Sequence, residues 1–241
     1  MELTKTADIP SNSPFAALTT MFYDPMKAFG MLSERRAVWL PLLLTMGLSA
    51  ALMFYYYAVV DFEWLKERML ATVTDPAQRE QSISMMTKSM VMISSIASAV
   101  LGIPLMCAIT GVYFMIGGKM TSTDFGFGKG FALAAWSLVP MLITTVLGLM
   151  QVMLSSTGKL EFTELNPLTL NQLFFHIEMG KPWASLLESI SLATVWQVIL
   201  LIVGFQVWAK VPRATAMKVT LIPYVVIYGI WIAYSMMSNA A

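Results

Sequence analysis

The chain has 241 residues, 57% of them hydrophobic and only 12% charged, with a formal net charge of +1 and a mean hydropathy of +0.69. Soluble domains carry about 25% charged residues, and a single water-soluble core of this size cannot hide so much apolar surface, so lipid must be the solvent for much of the chain. The near-zero charge offers no whole-protein field for nucleic acid, and the one cysteine, Cys107, excludes an intrachain disulfide or a cysteine-built metal site.

From the N-terminus, residues 1–12 are polar and lack the cationic stretch, short apolar run and small-residue cleavage site of a secretory signal peptide, so insertion is expected to rely on the first span. Ser13 to Arg36 reads as a helix lying on the membrane face, with Phe15, Leu18, Met21 and Phe22 at three- and four-residue steps. Asp24-Pro25 is a helix start signal, an N-cap followed by a proline at the first helical position, and predicts a second short helix carrying Met26, Phe29 and Leu32. Phe15, Leu18, Phe22 and Phe29 are the candidate interfacial residues. Their role is either membrane-surface recognition or, as the shortage of cations favours, a structural collar under the bundle.

Five uncharged stretches exceed the roughly 20 residues that cross about 30 Å of hydrocarbon. They run from Ala37 to Val60, Ser89 to Gly118, Gly130 to Gly158, Ser189 to Ala209, and Val219 to the C-terminus. The second and third are longer than a perpendicular helix needs and are expected to tilt, to kink at Pro104 and Pro140, or to project into the interface. Transmembrane strands are excluded because these stretches are continuously apolar rather than alternating. Between the first two spans, Asp75-Pro76 repeats the start signal, so the loop should hold two helical pieces, which form either an external helical hairpin that docks a partner or a self-packed loop with none. The expected fold is therefore all-α: a polytopic bundle of about five transmembrane helices, with a cytoplasmic N-terminal segment at 1–36 and a five-span domain at 37–241.

Orientation follows from the cations. The two short loops carry Lys119, Lys129, Lys210, Arg213 and Lys218 in twenty residues, whereas the two long loops hold six cations in fifty-eight residues beside nine carboxylates. With Lys27, Arg35 and Arg36 ahead of the first span, the positive-inside rule places the N-terminus in the cytoplasm and the C-terminus outside. Trp39, Tyr55, Tyr56, Tyr57, Trp64 and Trp208 stand where aromatic interface anchors are expected.

Chemistry is sparse. There is no His-Glu-x-x-His, Gly-x-Ser-x-Gly or P-loop, and Gly126-Phe127-Gly128-Lys129-Gly130 lacks both the spacing and the hydroxyl after lysine that bind phosphate and metal, so it reads as a flexible turn. His176 stands alone apart from Glu178 and reads as structural. Met85, Met86, Met90 and Met92 cluster at one membrane boundary and thioethers suit cuprous ions, but twenty-one methionines spread over the whole chain read first as helix-packing filler. No enzyme activity, cofactor or metal is expected. None of the spans contains Asp, Glu, Lys, Arg or His, the usual marks of a proton or ion path. Gln197 and Gln206 are expected to bond between helices, and Ser94, Ser98 and Gly102, at four-residue steps, form a small-residue stripe for close helix approach.

The string Phe22-Tyr23-Asp24-Pro25, then Ala28-Phe29, Leu32, Arg35-Arg36 and Trp39-Leu40-Pro41-Leu42-Leu43-Leu44, together with Phe131-Ala132-Leu133-Ala134-Ala135-Trp136-Ser137-Leu138-Val139-Pro140, resembles the bacterial branch of the Yip family, named for Ypt/Rab-interacting relatives in eukaryotes. The resemblance runs from about Phe15 to the end and implies five spans with a cytoplasmic N-terminus. The Asp-Leu-Tyr-Gly-Pro string of eukaryotic members is absent and Tyr23-Asp24-Pro25 is a remnant of it, so Rab binding does not transfer. The resemblance implies no catalytic residues. It is similar in setting to subunits that accompany MacB-type ABC exporters and their adaptors. The expected function is a non-enzymatic accessory or scaffold protein of the bacterial inner membrane, engaging the lipid bilayer and a membrane-protein partner or a second copy. The alternative is a stand-alone transporter or lipid-handling protein for neutral or amphipathic cargo.

Overall fold

The structure, a computed structural model, describes residues 13–33, 37–71, 73, 75–178, 180–181 and 183–238. Arg35 and Arg36 lie outside the described residues. Among the described residues the secondary structure is helical, with one isolated antiparallel bridge, Thr169 to Ser191. The helices are α1 (Pro14–Thr20), α2 (Pro25–Met31), α3 (Trp39–Val59), α4 (Phe62–Met69), α5 (Pro76–Met85), α6 (Lys88–Met120), α7 (Phe127–Ser137), α8 (Val139–Leu154), α9 (Ala184–Ser189), α10 (Leu192–Ala209) and α11 (Arg213–Ser238).

Five helical segments are long and apolar enough to cross a membrane: α3, α6, α7 with α8, α10 and α11. The chain is thus an all-α polytopic bundle, as hydropathy predicts. The third span is not one helix but two, broken at Leu138, which leaves Pro140 in the first turn of α8 where a proline forfeits no internal bond. By contrast α6 and α11 run unbroken through Pro104 and Pro223. The last helix starts six residues earlier than its apolar run, taking in Arg213 and Lys218, whose long stems can lie along apolar surface while the charges reach water.

The Asp-Pro signals work as capping chemistry requires. The Asp24 carboxylate accepts from the Lys27 N–H at 3.0 Å, and the Asp75 carboxylate from the Ala77 N–H at 3.0 Å. Two short helices therefore stand on either side of Asp24, as that start signal predicts.

The residues form two compact units. The first comprises the chain up to Leu43, Met106–Val139 and Trp196–Ile222. Its core is aromatic: Phe114 and Phe205 lie 5.2 Å apart by ring centroid, Phe125 and Phe205 4.9 Å, and Trp136 is fully buried in α7 beside Ala132, Leu133, Ala134 and Ala135. Backbones approach closely where side chains vanish. A Cβ on Gly111 would lie 2.8 Å from the Phe131 nitrogen, and one on Gly130 would collide with the Gly111 backbone. That contact corrects the reading of 126–130 as a flexible turn: Gly126 is the N-cap of α7, and Gly130 is glycine because α6 lies against it.

The second unit comprises Leu44–Leu105, Pro140–Val195 and Pro223–Ala241. Leu52, Met53, Tyr56, Tyr57 and Val60 of the first span pack there with Phe62, Leu65, Val152 and Leu165. The loop after α8 is pinned to this core, since the Tyr56 hydroxyl donates to the Leu160 carbonyl at 2.8 Å and the Asp61 N–H to the Gly158 carbonyl at 2.9 Å. Tyr56 and Tyr57, expected as interface anchors, are instead buried, because each hydroxyl finds a partner inside: Leu160 for one and the Ser95 hydroxyl, 3.1 Å away, for the other. Trp39 keeps the expected exposure, at 56%.

Candidate partner-binding surfaces

The N-terminal collar is built around Phe29. Its ring meets Trp208 edge-on at 5.3 Å, and the Trp208 indole N–H donates to the Phe29 carbonyl at 2.8 Å. Gly204, one helical turn before Trp208, leaves room for this, since a Cβ there would stand 2.7 Å from the Phe29 ring. Of the four candidate interfacial residues, Phe29 is thus fully buried, Leu18 is half-buried, and Phe15 and Phe22 are exposed together with Tyr23 and Met26. Trp208 is likewise inside, with its one polar atom satisfied, rather than at an interface.

A second surface is a groove of about 530 Å³ lined by Ser49 and Met53 of α3, Ser94, Ser95, Ser98, Ala99 and Ile103 of α6, and Phe162. Here stand two members of the small-residue stripe. The Ser94 hydroxyl bonds back to the Val91 carbonyl at 2.9 Å, and Ser98 is exposed. Gly102, the third member, meets nothing within 4 Å of where a Cβ would be. Gln197 and Gln206 are both half-buried on α10, and neither side-chain amide has a hydrogen-bond partner among the described residues.

The third surface is a polar cleft of about 500 Å³ in the segment after α8, lined by Glu161, Glu164, Glu178, Glu188 and His176 with Thr163, Asn171, Gln172, Ile177, Ala184 and Ser185. Its groups are mostly occupied in building the loop. The Glu161 carboxylate pairs with Arg68, whose Nε lies 2.7 Å away, and the Glu164 carboxylate accepts the Glu161 N–H at 2.6 Å. The buried Asn171 amide donates to Glu188 at 2.8 Å and to the Ile177 carbonyl at 2.9 Å, and its oxygen accepts the Ile177 N–H at 2.8 Å. That clamp holds His176 in a left-handed conformation, φ 52° and ψ 38°. His176 thus has four glutamates around its cleft where the sequence put only Glu178 beside it. Among the described residues no three His, Cys, Asp or Glu side chains are placed to hold a metal ion.

A family model for the Yip1 domain matches residues 19–234. The chain belongs to that family. Among curated proteins and solved structures no match was found. The Yip1 match opens inside α1 and closes inside α11, so it takes in most of the collar and all five spans. Within this Yip1 domain, sequence reasoning overlooked the close backbone contact of Gly111 against Gly130. Its signal was present: Cys107, Gly111, Phe114 and Gly118 recur at helical steps along α6, and all four are buried.

Proposed function

We propose that this Yip1-family chain is a non-enzymatic accessory or scaffold protein that holds another membrane protein against its spans. The supporting observation is the placement of its interface-type residues. Gly111, Gly130 and Gly204 are consumed by contacts within the chain, whereas Gly102 faces open space, Ser98 is exposed, and the Gln197 and Gln206 amides lack partners among the described residues. In lipid there is no hydrophobic force between helices, so small residues and amides contribute only when a neighbouring helix supplies packing atoms and hydrogen bonds. A partner helix would supply both. The rival reading, a transporter or lipid-handling protein, is supported by the serine-lined groove but finds no Asp, Glu, Lys, Arg or His in the five apolar stretches to couple to ions or protons.

The resemblance to the bacterial branch favours an inner membrane, the positive-inside pattern favours a cytoplasmic N-terminus and an external C-terminus, and the setting to test first is a MacB-type ABC exporter with its periplasmic adaptor. Cys107 is buried and is the only cysteine, so Ser98→Cys introduces a single accessible thiol. Crosslinking of that variant in native membranes, followed by purification, should yield an adduct with a second membrane protein or a second copy. A variant that remains uncrosslinked while the purified chain alone moves lipid or solute across vesicles would overturn the scaffold reading.

A further inference from the structure

We propose that Met85, Met86 and Met90 form a thioether site for a soft monovalent cation, Cu(I) or its redox-inert analogue Ag(I), independently of the scaffold reading. Between α5 and α6 only Met86 and Thr87 stand outside a helix, and that short junction places the three methionines along one open groove of about 330 Å³, completed by Ser82, Val91 and Ser94. Ser82 and Met85 come from the end of α5 and Met90 and Ser94 from the first turns of α6, while Met86 sits in the extended break between them. The Thr87 hydroxyl accepts the Met90 N–H at 3.3 Å and so fixes where α6 begins relative to Met86.

Packing accounts for some methionines here but not for all of them. Met86 and Met92 are partly buried against the core of the second unit, which is the filler role. Met85 and Met90 are 63% and 59% exposed and line the groove. Two exposed, polarisable side chains, Met85 and Met90, beside a third, Met86, that is anchored in the core, at the end of a span where Lys88 marks the aqueous boundary, form an arrangement a soft cation can use. Three neutral thioethers match the softness of a filled-shell monovalent ion and leave hard or borderline divalent ions such as Zn(II) without an adequate ligand. Thioethers carry no titratable proton. Binding should therefore be insensitive to pH, unlike a site built from imidazole, thiolate or carboxylate, whose ligands must first be deprotonated.

The full-length chain in detergent should be titrated with Ag(I), and with Cu(I) held reduced by ascorbate, against a chromophoric competing chelator. Even outer-shell partners change metal affinity about 10–100-fold, so loss of two ligands in the Met85→Leu/Met90→Leu variant should weaken the tightest site by at least about tenfold. Met92→Leu should titrate as the unsubstituted chain does. Affinity should stay level between about pH 5.5 and 7.5, and Zn(II) should not compete. Leucine keeps the apolar volume of methionine, so helical circular dichroism should not change; Met85→Leu alone, at an exposed position, serves the same comparison if the double variant does not fold. Equal affinity with and without Met85 and Met90, no binding at micromolar metal, or a tenfold loss on acidification, which would assign the metal to His176 or to carboxylates, overturns the proposal.

Discussion

Between Met106 and Met120, α6 buries Cys107, Gly111, Phe114, Gly117 and Gly118 and lies against the backbone of Phe131. Between Lys88 and Leu105 no residue of the same helix is fully buried: Val91, Met92 and Ile96 pack only partly, Ser94 and Ser98 are exposed, and Gly102 has open space where a side chain would be. Both stretches are apolar and rich in small residues, so composition does not separate them. What separates them is a matching small residue on another helix. Gly130 stands opposite Gly111, whereas among the described residues nothing lies within 4 Å of a β-carbon placed on Gly102. A small residue thus records the capacity for close approach, and only the complementary surface shows whether the chain itself uses it.

The contrast breaks most visibly at Gly111. A β-carbon there already overlaps the Phe131 backbone, so Gly111→Leu must push α6 and α7 apart rather than rotate a side chain. Overpacking of rigid backbone should cost about 3 kcal/mol or more, seen as a collapse of the thermal or SDS unfolding midpoint of the full chain in detergent. Survival of that variant at the parental midpoint would dissolve the distinction between the two halves of α6. A milder blow to the same unit is Trp208→Phe, which removes the N–H donated to the Phe29 carbonyl and part of the indole that meets the Phe29 ring. About 1–2 kcal/mol should go, with α1 and α2 becoming sensitive to limited proteolysis before the spans unfold.

In the second unit the corresponding tie is Tyr56, whose hydroxyl holds the Leu160 carbonyl. Tyr56→Phe keeps the ring in the core and removes one hydrogen bond, a loss of about 0.6 kcal/mol, and should speed amide exchange in the segment after α8 more than in α4. A uniform increase over both would show that the tie is to the core as a whole and not to Leu160.

The same comparison explains how much could be read from the residues. The five spans were legible because lipid demands uninterrupted apolarity over a fixed length, a property of neighbouring residues. The starts of α2 and α5 were legible because Asp24 and Asp75 cap within their own turn. The inward turn of Tyr56, Tyr57 and Trp208 was not. A buried aromatic and an interfacial one look alike locally, and each hydroxyl or indole partner here is contributed by another part of the chain: Leu160, Ser95 or Phe29. His176 was read as solitary for the same reason, since the clamp that shapes its cleft joins Asn171 to Glu188 of α9, seventeen positions on in the sequence. For the candidate surfaces, residue types identified Ser94, Ser98 and Gly102, but only the occupancy of the space around them bears on whether they face inward or toward a partner.

Gly102→Leu makes the smallest change to the chain and the most informative one. Nothing lies within 4 Å of its β-carbon, so the leucine replaces lipid contact with lipid contact, and the monomer should unfold within about 0.5 kcal/mol of the parent. Helix–helix contact at this face tolerates no such addition, because the leucine would hold a partner's backbone away from Ser98 and from the serine-lined groove. Native-membrane purification should therefore recover less of the co-purifying protein, and crosslinking from Ser98→Cys should fall in the same proportion, at unchanged intrinsic stability. The pairing of the two measurements matters. Lost assembly with lost stability would mean that α6 packs here against its own chain, and full assembly with full stability would mean that this face meets only lipid, which would turn the search to other exposed apolar residues such as Phe15, Phe22, Tyr23 and Met26 of the collar.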